Sequence, residues 1–207
     1  MYDYNITTPL LNLACILSRE FARFAPEYVT VPDKAVFRRY GDVPSRKEAH
    51  KTPAAIWVRK GMQGMRGACF YFHFNDREAV VLGGVYYAEP GQLPAYRQLL
   101  RDNYQEFQEI LREPELESLF GGLQGDKSRR MPRGLCSDHP AAELLRQTQW
   151  YLVSLLEMDL LSTPRLLPTL VHHFEVVAPM VEFLNRPFAP KPALKRTAFS
   201  SALGGSR

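Results

Sequence analysis

Ala-Cys-Phe-Tyr-Phe-His-Phe-Asn-Asp-Arg-Glu-Ala-Val-Val-Leu-Gly-Gly-Val-Tyr-Tyr-Ala-Glu, residues 68–89, decides the fold. Phe70, Phe72 and Phe74 alternate with Cys69, Tyr71 and His73, and a period of two puts the three phenylalanines on one face of a strand. Asn75 and Asp76 are turn formers, because their short side chains bond their own backbone. Val80, Val81, Leu82, Val85, Tyr86 and Tyr87 form the returning strand. Gly83-Gly84 inside it points to a bulge or a close backbone approach. This is a β-hairpin, and it implies a fold rather than a reaction.

Working outward, Thr8 to Phe24 reads as a helix, since Leu10, Leu13, Ala14, Leu17, Phe21 and Phe24 make one apolar stripe. Thr7 or Thr8 is the expected N-cap, Pro9 the first helical position, and Pro26 the stop. Lys34 to Tyr40 and Ala54 to Arg59 read as strands, joined by a polar, proline-broken loop over Gly41 to Pro53. After the hairpin, Pro94 to Arg112 reads as one helix and Glu115 to Phe120 as a shorter one. Gly121 to Asp138 is a second polar loop, followed by a helical turn, Ala141 to Arg146. Trp150 to Leu156 alternates like a strand, with continuation of the helix as the alternative. Pro164 to Asn185 is a helix that Pro179 should kink. Strands and helices mix without strict alternation. The expected class is α+β, an antiparallel sheet of about four or five strands with helices packed mainly on one face. A single domain is expected over 1–188, with a disordered tail over 189–207 rich in Pro, Ala, Ser and Gly.

The composition bounds the function. A chain of 207 residues with 45% hydrophobic residues has material for a sizeable core. The net charge of +4 is mild, and part of it sits in Lys191, Lys195, Arg196 and Arg207, so the charge argues only weakly for nucleic acid. Cys15, Cys69 and Cys136 are odd in number and far apart, which fits reduced thiols in a cytoplasmic protein. Neither a secretory signal nor a membrane-spanning run of about 18 apolar residues is read from the chain. The glycine-rich segments 61–67 and 121–125 match neither a phosphate-binding loop nor a dinucleotide fingerprint, and no cofactor is implied.

Four groups of residues are candidates for chemistry. Arg38, Lys51, Lys127, Arg130 and Arg133 lie in two polar segments which, if they converge, make a pocket for phosphate or carboxylate. The bland alternative is solvated loop charge with a structural Arg38–Asp42 pair. His139 beside Asp138, or His50 with Asp42, supplies a histidine for acid–base work, although Asp-His-Pro before a helix is also a capping sequence. His172 and His173, with His73 as a distant partner, make a poor metal set, because adjacent helical residues point roughly 100° apart. Cys69 reads as packed on a strand, and Cys136 sits in a basic loop that would lower its pKa if exposed.

The run Gly125-Asp126-Lys127 … Arg130-Met131-Pro132-Arg133-Gly134 … Asp138-His139-Pro140-Ala141 … Leu144-Leu145-Arg146, with Leu82-Gly83-Gly84 and Glu106-Phe107 … Ile110-Leu111, resembles the bacterial domain-of-unknown-function family DUF2461, a set of conserved hypothetical proteins. The likeness extends from about Leu10 to Phe188. The family's hallmark is an arginine-rich strand and loop, of which this chain keeps a part. Arg38 fits the first arginine, Asp42 the aspartate and Lys51 the lysine. Gly41 and Pro44 stand where arginines are usual, Ser45 replaces a phenylalanine and Ala54 a tyrosine. Members usually begin with an additional helix carrying a Trp-Phe pair, and the resemblance implies that this chain starts after it. These departures favour a non-enzymatic domain that binds an anionic ligand or a protein partner. The alternatives are a small enzyme using His139 or His50, and a weak nucleic-acid binder.

Overall fold

The computed structural model describes residues 4–40, 51–62, 67–135 and 137–189, with side chains from residue 9 onward except those of 37–40 and 51–53. Among these residues the architecture is α+β. Five antiparallel strands lie in the order of the chain: β1 (Val36–Tyr40), β2 (Lys51–Val58), β3 (Cys69–Phe74), β4 (Ala79–Val85) and β5 (Trp150–Leu156). The helices are α1 (Tyr4–Phe24), α2 (Pro32–Ala35), α3 (Leu93–Asp102), α4 (Tyr104–Leu111), α5 (Pro114–Phe120), α6 (Ala142–Arg146) and α7 (Leu166–Asn185).

The central hairpin forms as its pattern predicts, with Tyr71 opposite Leu82 and His73 opposite Val80. Its turn is built by Asn75, whose Oδ1 accepts from the N–H groups of Arg77 at 2.7 Å and Glu78 at 2.9 Å. Phe70 and Phe72 face the helices. On this side Phe174 of α7 and Phe21 of α1 meet Phe70 and Trp57 with ring centroids 4.9 to 5.6 Å apart. The indole of Trp57 donates to Ser18 Oγ at 3.2 Å, which satisfies its one buried donor.

Gly83-Gly84 is a close approach rather than a bulge, since the β4 register runs unbroken through both. A Cβ on Gly83 would lie 2.5 Å from Val177 Cγ2, so α7 rests directly on the β4 backbone. At the end of α7, Asn185 ties three parts of the chain together. Its amide donates to Tyr28 Oη and to the Ala68 carbonyl, each at 2.7 Å, and its Oδ1 accepts from the Ala68 N–H at 3.0 Å.

Several expected boundaries move. Helix α1 begins at Tyr4, so Thr7 and Thr8 are not its cap. Pro9 lies inside the helix as its sixth residue, beyond the four N–H groups that have no intrahelical partner, so it costs the helix one backbone hydrogen bond. Lys34 and Ala35 belong to α2, not to a strand, and β2 begins at Lys51. The single helix expected over 94–112 is two, because Asn103 leaves helical geometry (φ −128°, ψ 35°) and its amide donates to the Leu99 carbonyl at 2.9 Å. The loop expected over 41–53 and the tail over 189–207 fall mostly outside the described residues.

A candidate binding hollow on the open face of the sheet

The side chains that alternate with the core residues line the opposite face of the sheet. They are Ala54, Ile56, Cys69, Tyr71 and Leu82, with Val58, Tyr86, Tyr151 and Val153 packed against them. Over β3, β4 and β5 this face holds a hollow of about 280 Å³. Among the described residues it is lined by Tyr71, His73, Glu78, Val80, Leu82 and Tyr86, and by Gln124 and three residues of β5, Tyr151, Val153 and Leu155. Register explains the set: Leu82 stands opposite both Tyr71 and Val153, and Val80 opposite both His73 and Leu155. Leu155, 70% exposed, marks the open rim.

The polar end is a pair. His73 is buried on β3, and its Nε2 lies 3.0 Å from Oε1 of half-exposed Glu78 in the hairpin turn. With the proton on Nε2, the ring donates to the carboxylate. The Tyr86 and Tyr151 rings lie 5.1 Å apart at 58°, and those of Tyr71 and His73 5.4 Å apart at 57°. Burial raises the Tyr151 phenol above its ordinary value, with Tyr86 adding to the effect, so it stays a neutral hydrogen-bonding group. Cys69, fully buried beneath, is pushed up to about 12 by desolvation and is unsuited to act as a thiolate.

The five cationic residues expected to share one pocket come from two segments whose backbones join different edges of the sheet. Arg38 pairs with Pro53, and Lys51 with Tyr40, on the β1 edge. The 121–138 loop joins the other edge, through bridges of Gln124 to Tyr151 and Lys127 to Gln147. Four strand spacings, about 19 Å, separate β1 from β5. Lys127 bonds Glu143 at 2.9 Å, and Arg146 bonds the same carboxylate at 3.2 Å. The hydrogen bond from Lys127, then the two positive charges, hold the Glu143 carboxyl below its ordinary value. Arg146 also donates to the Ser128 and Arg129 carbonyls, so the loop is stitched to α6. Arg130 and Arg133 are exposed and make no ion pair among the described residues.

Of the histidines, His139 Nδ1 accepts from the Ala141 N–H at 3.0 Å, so His139, not Asp138, orders the entry to α6. His173 is buried behind the sheet, and its Nδ1–H donates to the Thr169 carbonyl at 2.7 Å. His172 faces Glu115 at 3.2 Å. No three metal-ligating side chains cluster among the described residues. Asp42, His50 and Cys136 lie outside the described residues, as do Gly41, Pro44 and Ser45. The hollow escaped the sequence reading, which took His73 only as a remote companion of His172 and His173. The available signal was the alternation of Tyr71 and His73 with phenylalanines.

Compared with known proteins, the model of the conserved hypothetical protein family DUF2461 matches residues 1–183, starting nearer the N-terminus than the likeness read from Leu10. No curated protein and no solved structure matches the chain. Among the described residues, no helix is long and apolar enough to cross a membrane.

Proposed function

The chain belongs to the conserved hypothetical protein family DUF2461, and we propose that it is a binding domain for a small molecule held in the hollow on the open face of its sheet. One observation carries this reading: a concave, mostly apolar lining of three tyrosines and four aliphatic side chains ends in a single His73–Glu78 pair. Ligand sites have that composition, with apolar walls for burial and a few polar groups for orientation. The volume, about 280 Å³, suits a small ligand or the head of a larger one.

The test is a fragment screen by ligand-observed NMR on the full chain and on Val153→Trp, which fills the hollow from β5. Binders lost in the variant support the reading. Binders that hold both proteins equally, or an absence of binders, sink it.

A second reading keeps an anionic ligand or an acidic protein partner on the 121–138 loop, and it draws on exposed Arg130 and Arg133. Binding of a nucleotide or an acidic peptide should then fall in Arg130→Ala/Arg133→Ala and be untouched by Val153→Trp. A weak nucleic-acid role on the same residues would show a steep loss of binding with salt.

A further inference from the structure

We infer that the ligand of this hollow is a small organic cation of the ammonium type, an inference that rests on the hollow being a binding site at all. The lining has a negative electrostatic sign among the described residues. Among the described residues it contains one carboxylate, Glu78, and neither a lysine nor an arginine. The cations Lys127, Arg130 and Arg133, which the sequence offered for an anion, all lie outside it.

The walls favour a cation as well. Tyr86 and Tyr151 present π-systems whose faces are negative, and an ammonium group over such faces is attracted to the ring quadrupole. Tyr86 and Tyr151 are tilted against each other at 58°, so they offer two non-parallel surfaces rather than one stack. Glu78 itself favours one too. Its Oε1 meets His73, while its Oε2 accepts no hydrogen bond from a described residue. A positive head group beside tyrosine rings completes that carboxylate. An anion in the same place would be repelled by it, and a purely apolar ligand would desolvate it without return. The aliphatic floor of Val80, Leu82 and Val153 suits the methyl or methylene groups around such a nitrogen.

The probes are choline and 3,3-dimethyl-1-butanol, which has the same shape with a carbon in place of the charged nitrogen. Each is titrated into the full chain and followed by the ring signals of Tyr86 and Tyr151. Choline should bind about fivefold tighter or more than the neutral analogue, as cation–π attraction in a partly desolvated site provides. Glu78→Gln keeps an acceptor for His73 and should erase most of that preference while still binding the neutral analogue. Its melting temperature checks that it folds. Equal binding of the two probes, or tighter binding of the neutral one, overturns the cation assignment and leaves the hollow as a site. If neither probe binds while fragments sensitive to Val153→Trp do, the assignment again falls alone. If nothing binds, the assignment and the binding function fall together.

Discussion

The two faces of one sheet differ in what they are built to exclude. On the helix side, Phe21, Trp57, Phe70 and Phe174 are fully buried and in mutual ring contact, and the buried indole donors of Trp57 and Trp150 are satisfied by Ser18 Oγ and the Leu144 carbonyl. On the other side, the same strands carry Tyr71, His73, Tyr151 and Val153 around a hollow. Apolar residues are present on both. Polar tips occur on both: behind the sheet Asn185, Tyr28 and His173 bond within the protein, whereas on the open face the tyrosines, His73 and Glu78 line a hollow. Large aromatic groups on two faces of a sheet are therefore not equivalent evidence. Burial by α1 and α7 makes one set a core, and a concave opening with polar termini makes the other a candidate site.

The strongest way to break this contrast is to exchange truncations. Phe174→Ala removes a ring that touches Phe21, Trp57 and Phe70, and should cost about 3–5 kcal/mol of stability by transfer and cavity terms. Tyr86→Ala on the open face should cost about 1 kcal/mol yet abolish ligand binding. Urea unfolding of both variants checks the pair, and similar losses would show the open face to be a second structural core.

Asn185→Leu should come next, at about 3 kcal/mol, because it strands the Ala68 N–H and carbonyl and the Tyr28 hydroxyl in a buried place. Ligand binding in the hollow should survive, since α7 lies behind the sheet. Chemical denaturation followed by a ligand titration on the folded variant measures both.

The smallest effect is a pH dependence that arises from His173 on the helix side. Burial holds the His173 imidazole below its ordinary value of 6.5, with the Thr169 hydrogen bond opposing and His172 reinforcing that shift. The unfolded chain therefore binds the proton first as pH falls, and stability declines from about pH 6.5 down to the depressed folded value. In His173→Asn the melting temperature should fall less between pH 6.5 and 5 than in the natural chain. An identical slope would assign the acid sensitivity elsewhere. Carboxylates such as Glu106, held below their ordinary value by Arg186, lose their contribution only at lower pH.

By itself the sequence determined the hairpin, the α+β class and the α7 helix, because alternation over Phe70–Phe74 and the spacing of Leu170, Phe174, Val177 and Val181 encode burial locally, while for β5 it left strand and helix both open. It placed the contact at Gly83-Gly84 without telling bulge from close approach, which Val177 decides from nearly a hundred residues away in the chain. It grouped Arg38, Lys51, Lys127, Arg130 and Arg133 by charge, and the strand order put their segments on opposite edges. The His73–Glu78 pair is local to the hairpin, five residues apart, whereas the gathering of Tyr71 with Tyr151 around the hollow was decided by tertiary structure. A site is assembled by cross-strand register between segments as distant as Tyr71 and Tyr151, and a linear pattern records which face a residue takes but not what that face meets.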